Sequence, residues 1–251
     1  WSYLCAEPAC CPPEGRPYDP RASVAAAEAT VHGLVALPDR RALVDSLAPV
    51  GGAARRAMRR ATAHQAAALR ASLARDGWSD EAAARFAAEG VALVRAAVAA
   101  CRAGETPDDA TAARLGLVLT VLRVRDEAWI MIDDETQDAH RRLWGDLTRR
   151  LEPRFVPPAA ALLGVTAWRA GDCALAGIAV EQALAIDPGY TMARLIAEAL
   201  RHLVSPEALR LRMPTSAQLD REMGPPRAEW LDPLRALLIA PAAPPDGGPP
   251  A

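Results

Sequence analysis

The stretch from Pro157 to Tyr190, PPAAALLGVTAWRAGDCALAGIAVEQALAIDPGY, constrains the fold of this chain more than any other. It is apolar and nearly uncharged, yet Gly171-Asp172 cuts it near the middle and Asp187-Pro188 near the end. The small residues Gly164, Ala176 and Ala183 let two helices approach closely. Gly171 permits a tight turn between them, and Pro188 ends the second, because proline lacks the amide a helix interior needs. The segment therefore predicts two antiparallel helices packed side by side, with a further helix at 191–203 as their cap.

The rest of the chain is Ala-rich helix punctuated by Pro and Gly. Residues 1–20 hold five Pro, a Gly and three Cys, a composition that favours a turned loop over helix. Trp1, Tyr3 and Leu4 are read as the end of a strand. A helix is expected over 23–37, stopped by Pro38, and Asp39 caps a short one carrying Leu43, Val44 and Leu47. Beyond Gly51-Gly52 a long helix runs to about Arg75, with Met58, Ala66, Leu69 and Leu73 on one stripe and Gly77 as its stop. Another spans about Asp80 to Arg102. Thr106-Pro107-Asp108-Asp109 opens a helix with Thr106 as its cap, and the apolar run Leu115 to Leu122 inside it predicts the central core helix. A helix around His140 to Trp144 continues to Pro153, and Pro157-Pro158 separates it from the last segment, which ends near Ile239.

Composition removes several functions. With 251 residues, 51% of them hydrophobic, the chain can bury a real core. All 29 basic residues are Arg, and neither Lys nor Asn occurs. That excludes Schiff-base lysine chemistry, a GxxxxGK[ST] phosphate loop and N-glycosylation. A net charge of −2 and a pI near 6.1 argue against a general nucleic-acid binder. Five Cys is an odd number, with Cys101 and Cys173 in apolar helical patterns, which fits a reducing cytoplasm better than a secreted disulfide framework. No run approaches 18 uncharged apolar residues, so no membrane partner is expected. The chain starts at Trp1 without a visible signal peptide and is expected to begin inside a longer protein.

Leu163-Gly164, Gly171-Asp172, Ala176, Ala183-Leu184 and Asp187-Pro188 match the spacing of a tetratricopeptide unit, which the segment resembles. Ala160, Ala167 and Val180 stand where that family expects aromatic residues, and no second copy lies 34 residues to either side. The order SYLCAEPACCPPEG, LPDRRALVDSLAP, RVRDEAWIMID, HRRLWGDLTRR and AWRAGDCALAGIAVEQALAIDPGYTMARL resembles the actinobacterial domain of unknown function 4192 family over nearly the whole chain. That resemblance implies a further N-terminal section before Trp1, and brings no activity, cofactor or site residue with it.

Two clusters are candidate sites. Cys5, Cys10 and Cys11 form a C-x4-C-C pattern in the Pro-rich loop. Their thiolates suit metal binding with a fourth ligand from elsewhere, a redox-sensing vicinal pair, or the packing of a rigid loop. Arg55, Arg56, Arg59 and Arg60 crowd the first turns of a helix, where positive charge opposes the helix dipole and asks for an anionic partner. That partner is an acidic protein surface, a phosphate-bearing ligand, or the chain's own Asp133, Asp134, Glu135 and Asp138. Asp126 and Glu127 beside Trp129 are the one place where paired carboxylates meet an apolar helix, although Arg123 and Arg125 would neutralise them. His32, His64, His140 and His202 show no ligand spacing, and neither GxSxG nor GxGxxG occurs.

The expected fold is mostly α, an array of eight to ten helices between a Pro/Cys-rich N-terminal loop and the tetratricopeptide-like hairpin. Its parts are the loop at 1–20, a helical domain at 21–153, the hairpin and its cap at 154–204, C-terminal helices at 205–239 and a disordered tail at 240–251. The expected function is protein–protein interaction or scaffolding in the cytoplasm, with another protein as partner, no nucleic acid and no cofactor. The alternatives are a redox- or metal-responsive regulator using Cys5, Cys10 and Cys11, and an enzyme whose site lies mainly in the section before Trp1.

Overall fold

The structure, a computed structural model, describes residues 39–239. The cysteine loop with Cys5, Cys10 and Cys11, the helix expected at 23–37 and the tail at 240–251 lie outside the described residues. The chain divides into two compact units, Trp1–Ser46 and Leu47–Ala251. The described part of the first is Asp39 and helix α1 (Arg40–Ser46), which starts where the sequence places it, with Asp39 Oδ1 accepting the Ala42 amide at 2.8 Å.

In the second unit, α2 (Gly52–Asp76) buries Met58, Thr62, Ala66, Leu69 and Leu73 at spacings of three and four residues, and Gly77 closes it with a φ of 76°. Helix α3 (Asp80–Arg102) begins at Ser79, whose hydroxyl accepts the Ala82 amide at 3.2 Å. The next start falls two residues later than the sequence suggests. Asp108 rather than Thr106 is the cap, its carboxylate taking the Thr111 amide at 2.7 Å, and α4 covers Asp109–Val118.

The apolar run Leu115 to Leu122 is not one helix. It stops at Val118, Thr120 turns its hydroxyl back to the Leu117 carbonyl at 2.7 Å, and extended Val121 leads into α5 (Leu122–Ile130). Two consecutive β-branched residues, one of them bonding back to the backbone, favour that break. Leu122 ends up 48% exposed.

Helix α6 (Gln137–Arg150) leads through a 3-10 turn, Pro153–Phe155, into α7 (Val156–Arg169) and α8 (Cys173–Ile186). Every residue of α7 is buried, so this helix, rather than the Leu115 run, lies deepest in the core. Pro157 and Pro158, read from sequence as a separator, sit in its first turn, where a missing amide costs nothing. On one side α7 packs against α6, on the other against α8, and Trp168 closes the far end by donating its indole N–H to the Val204 carbonyl at 3.1 Å. A Cβ on Gly164 would stand 2.8 Å from Val180 Cγ2, so the two helices meet at glycine-limited distance.

Helices α9 (Thr191–Arg201), α10 (Pro206–Arg210), α11 (Ser216–Met223) and α12 (Asp232–Ile239) follow, with a 3-10 turn at Ala228–Leu231. The described residues thus form twelve α-helices and no strand. The count exceeds eight to ten because of the Val118 break and the short C-terminal helices. No described helix is long and apolar enough to cross a membrane.

Candidate functional site

On α2, residues 59, 63, 66 and 70 fall on one face, and there the helix carries Arg59, Ala63, Ala66 and Arg70. The two alanines are too small to fill the space between the arginines. Opposite them lie the turn after α6, with Glu152, Arg154 and Phe155, and the last turn of α12, with Leu237 and Leu238. The result is a cleft of about 320 Å³ lined by four arginines, Arg59, Arg60, Arg70 and Arg154, and one carboxylate, Glu152.

Two of these arginines are held in place by helix-end carbonyls. Arg70 Nη1 donates to the Leu238 carbonyl at 2.9 Å, and Arg154 Nη1 to the Leu237 carbonyl at 3.4 Å, so both satisfy the C-terminus of α12. The Arg154 guanidinium also stacks 4.8 Å from the Phe155 ring centre. Its Nε is buried and has no hydrogen-bond acceptor. Arg60 is exposed at the cleft's edge. Among the described residues, four guanidinium groups and one carboxylate thus line this concavity beside the apolar Phe155, Leu237 and Leu238.

The arginines singled out in sequence therefore separate into different roles. Arg59 and Arg60 line the cleft. Arg55 is structural, since its Nη1 donates to the Leu151 carbonyl at 2.8 Å and, with the Val50 amide bonding the Arg149 carbonyl at 2.9 Å, ties the start of α2 to the end of α6. Arg56 is exposed outside the cleft. The start of α2 has no side-chain cap and no acidic residue in its first turn. Sequence reasoning missed Arg70, Glu152, Arg154 and the α12 wall. The spacing Arg59-Ala63-Ala66-Arg70 was a readable signal for Arg70, whereas the others come together only through the fold.

The chain's own acidic cluster faces elsewhere. Asp134 pairs with Arg169 at 3.2 Å and Arg210 at 3.4 Å, and Glu135 reaches Arg102 at 3.9 Å. Asp133 accepts the Thr136 amide at 2.7 Å and so shapes the turn before α6.

Asp126 and Glu127 are tied up in ion pairs, as their neighbours in sequence suggest. Asp126 Oδ1 takes Arg125 Nε at 2.8 Å and Nη2 at 2.6 Å, and Arg125 itself lies against Tyr190. Glu127, 4% exposed, pairs with Arg123 at 2.5 Å and accepts the Ser216 hydroxyl at 2.9 Å. Asp220 stands 2.8 Å from Arg123 Nη1, although that nitrogen has no well-directed acceptor. These contacts between α5 and α11 beside a cavity of about 330 Å³ hold α11 in place. Both Glu127 oxygens and Asp126 Oδ1 are thus engaged by neighbouring side chains, and neither residue is offered as catalytic.

His140 is fully buried on α6. Trp144 Nε1 donates to its Nδ1 at 3.1 Å, which leaves Nε2, 3.2 Å from the Met131 carbonyl, as the protonated nitrogen of a neutral ring. Burial holds its pKa down at about 4. The thiol of Cys101 is buried and its pKa raised by desolvation, while Cys173 is exposed. Among the described residues no group of three or more His, Cys, Asp and Glu is placed to hold a metal.

The family described as "Domain of unknown function (DUF4192)" matches residues 1–207, and the chain belongs to it. No curated protein and no solved structure matches. The match includes α2 and the turn carrying Arg154, whereas the α12 wall of the cleft lies beyond it.

Proposed function

We propose that this member of the DUF4192 family is a cytoplasmic interaction protein whose arginine cleft and the adjoining start of α2 recognise an acidic partner protein. The observation that carries this reading is the cleft itself, where Arg70 and Arg154 are held by the Leu238 and Leu237 carbonyls and Arg60 is exposed at the edge. An exposed arginine on a helix is commonly solvated and contributes little. Here the cationic groups converge on one concavity, and two of them are fixed in orientation by the Leu237 and Leu238 carbonyls. Preorganised donors lose less conformational freedom on binding, which raises affinity. The uncapped, acid-free start of α2 adds a second positive feature beside them. The ion-paired state of Asp126 and Glu127 supports a binding role over a hydrolytic one. The hairpin of α7 and α8, whose spacing resembles a tetratricopeptide unit, serves here as the rigid support for the cleft rather than as a groove.

Affinity enrichment of the full chain from its native extract tests the proposal, run beside a double variant, Arg56→Ser with Arg60→Ser. Arg55 is left intact because it fastens α2 to α6. A reproducible acidic partner recovered by the parent chain and lost by the variant is expected. Recovery of the same proteins by both, or of none by either, contradicts it.

A further inference from the structure

We infer that the C-terminal run from α11 to α12 is a strap that docks and opens as one unit, and that the cleft is assembled only while it is docked; this rests on the interaction reading and gives that site its regulation. Leu237 and Leu238, which form one wall of the cleft, belong to the strap. The same two residues hold Arg154 and Arg70 through their carbonyls, at 3.4 and 2.9 Å. When α12 leaves, the cleft loses its apolar wall and both guanidinium groups lose the acceptors that orient them. Binding competence is therefore a property of the docked state, and the docked fraction scales the apparent affinity.

The strap is thinly attached. From Ser216 to Ile239 its buried residues are Leu219, Leu231, Leu234 and Leu238, whereas every residue of α7 is buried. Its other ties away from the cleft are polar: the Ser216 hydroxyl on Glu127 at 2.9 Å, the Ala228 amide on Asp80 Oδ1 at 2.8 Å, and Arg235 at 5.3 Å over the Trp78 ring. The cavity of about 330 Å³ runs along the seam, with Ser216, Gly224, Pro226 and Trp230 lining it from the strap side. A few leucines set against the conformational freedom of so long a segment place its docking at the low end of the stabilities within one molecule.

Its two helices end differently. The start of α11 is satisfied from within, since Thr215 Oγ1 accepts the Gln218 amide at 3.2 Å and Gln218 Oε1 accepts the Thr215 amide at 2.6 Å. The last carbonyls of α12 are satisfied only by Arg70 and Arg154, from α2 and the turn after α6. Between the helices, the 3-10 turn packs on both α3 and α12, and its fully buried Leu231 pins the strap to α3 without lining the cleft. Upstream, Trp168 fastens Val204 to the hairpin and Arg210 donates to the Arg169 carbonyl at 3.3 Å. The strap therefore pivots beyond α10, where Leu211 is 79% exposed and Pro214 has no amide to donate.

The test combines hydrogen exchange read by mass spectrometry with calorimetric titration by a glutamate-rich peptide, on the full-length protein and its Leu231→Ala, Ser216→Ala and Arg60→Ser variants. In the parent, the helical amides of α11 and α12 should be at least about tenfold less protected than those of α7. The peptide should protect both helices, because a ligand of the docked state stabilises it. Leu231→Ala, which lies in neither helix, should speed exchange in both and weaken the peptide severalfold while α7 and α8 keep the parent's protection. Ser216→Ala should move exchange and affinity the same way by less, and it decides alone if Leu231→Ala disturbs α7 and α8. Arg60→Ser should weaken the peptide and leave strap exchange unchanged. Strap amides as protected as those of α7, or faster exchange in α12 without α11, would overturn the inference. Parent affinity in a variant whose strap exchanges faster overturns it while leaving the interaction reading standing. No peptide binding by the parent, or binding that Arg60→Ser leaves unchanged, overturns both.

Discussion

The α7–α8 hairpin and the arginine cleft are built on opposite principles. The hairpin is dry: every residue of α7 is buried, and Gly164 lets it approach Val180 to the limit of contact. The cleft is lined by charged side chains, and Arg154 Nε in its wall is buried without an acceptor. In the first region packing accounts for the side chains apart from Arg169, whose Nε is also buried without an acceptor. In the second, packing leaves donors unused. The difference separates what the chain needs in order to fold from what it has available for a partner, and substitutions in the two regions should have separable consequences.

The largest effect is expected in the hairpin. Trp168→Ala removes a side chain that is 3% exposed and its bond to the Val204 carbonyl, and should cost about 3–5 kcal/mol in denaturant unfolding. A loss under 1 kcal/mol would mean that the hairpin is not the rigid region described. Next is acid sensitivity. His140 is neutral when folded down to about pH 4, whereas in the unfolded chain it protonates near 6.5. Above 6.5 both states bind no proton and there is no effect. Between 6.5 and 4 the unfolded state alone gains one, so stability falls by up to about 1.4 kcal/mol per pH unit. Urea titrations at steps across that range should show the fall, and His140→Gln should flatten it.

A smaller loss is expected from Gly164→Ala, whose new methyl meets Val180 Cγ2 at 2.8 Å in a packed core; about 1–3 kcal/mol should be lost. If the protein is instead stabilised, as an exposed helix glycine would be on gaining a methyl, the close approach is wrong. Arg70→Ser, in the cleft wall, should show both kinds of effect. It removes a bond to the Leu238 carbonyl and should cost about 1 kcal/mol while also weakening ligand binding. Arg60→Ser should leave the unfolding midpoint in place.

The two regions also differ in how far they could be read from sequence. Contiguous signals, such as the Gly171 turn, the Pro188 stop and the Met58-to-Leu73 stripe, report local backbone and burial, and the structure forms helices on them. The mostly helical class follows from these. Where the reading failed, at Thr106 and across Leu115 to Leu122, two local preferences competed. Asp108 outbid Thr106 as cap, and Thr120 with Val121 broke a run whose hydrophobicity favoured continuity. The cleft was half legible. Arg59 and Arg60 stood out as charge opposing a helix dipole, but Arg55, identical in type, is used to hold α6, and Arg154 and Leu238 arrive from distant parts of the chain. No spacing rule within one helix reports such a meeting.

The central claim is that the cleft recognises an acidic group independently of the fold. It is tested most directly by titrating the full-length chain and its Arg60→Ser variant with a glutamate-rich peptide at low salt while following thermal unfolding of both without ligand. The account predicts weaker binding in the variant by severalfold or more with coincident unfolding curves. Equal affinity in the two proteins, or a loss of binding that merely accompanies a lowered unfolding midpoint, would contradict it.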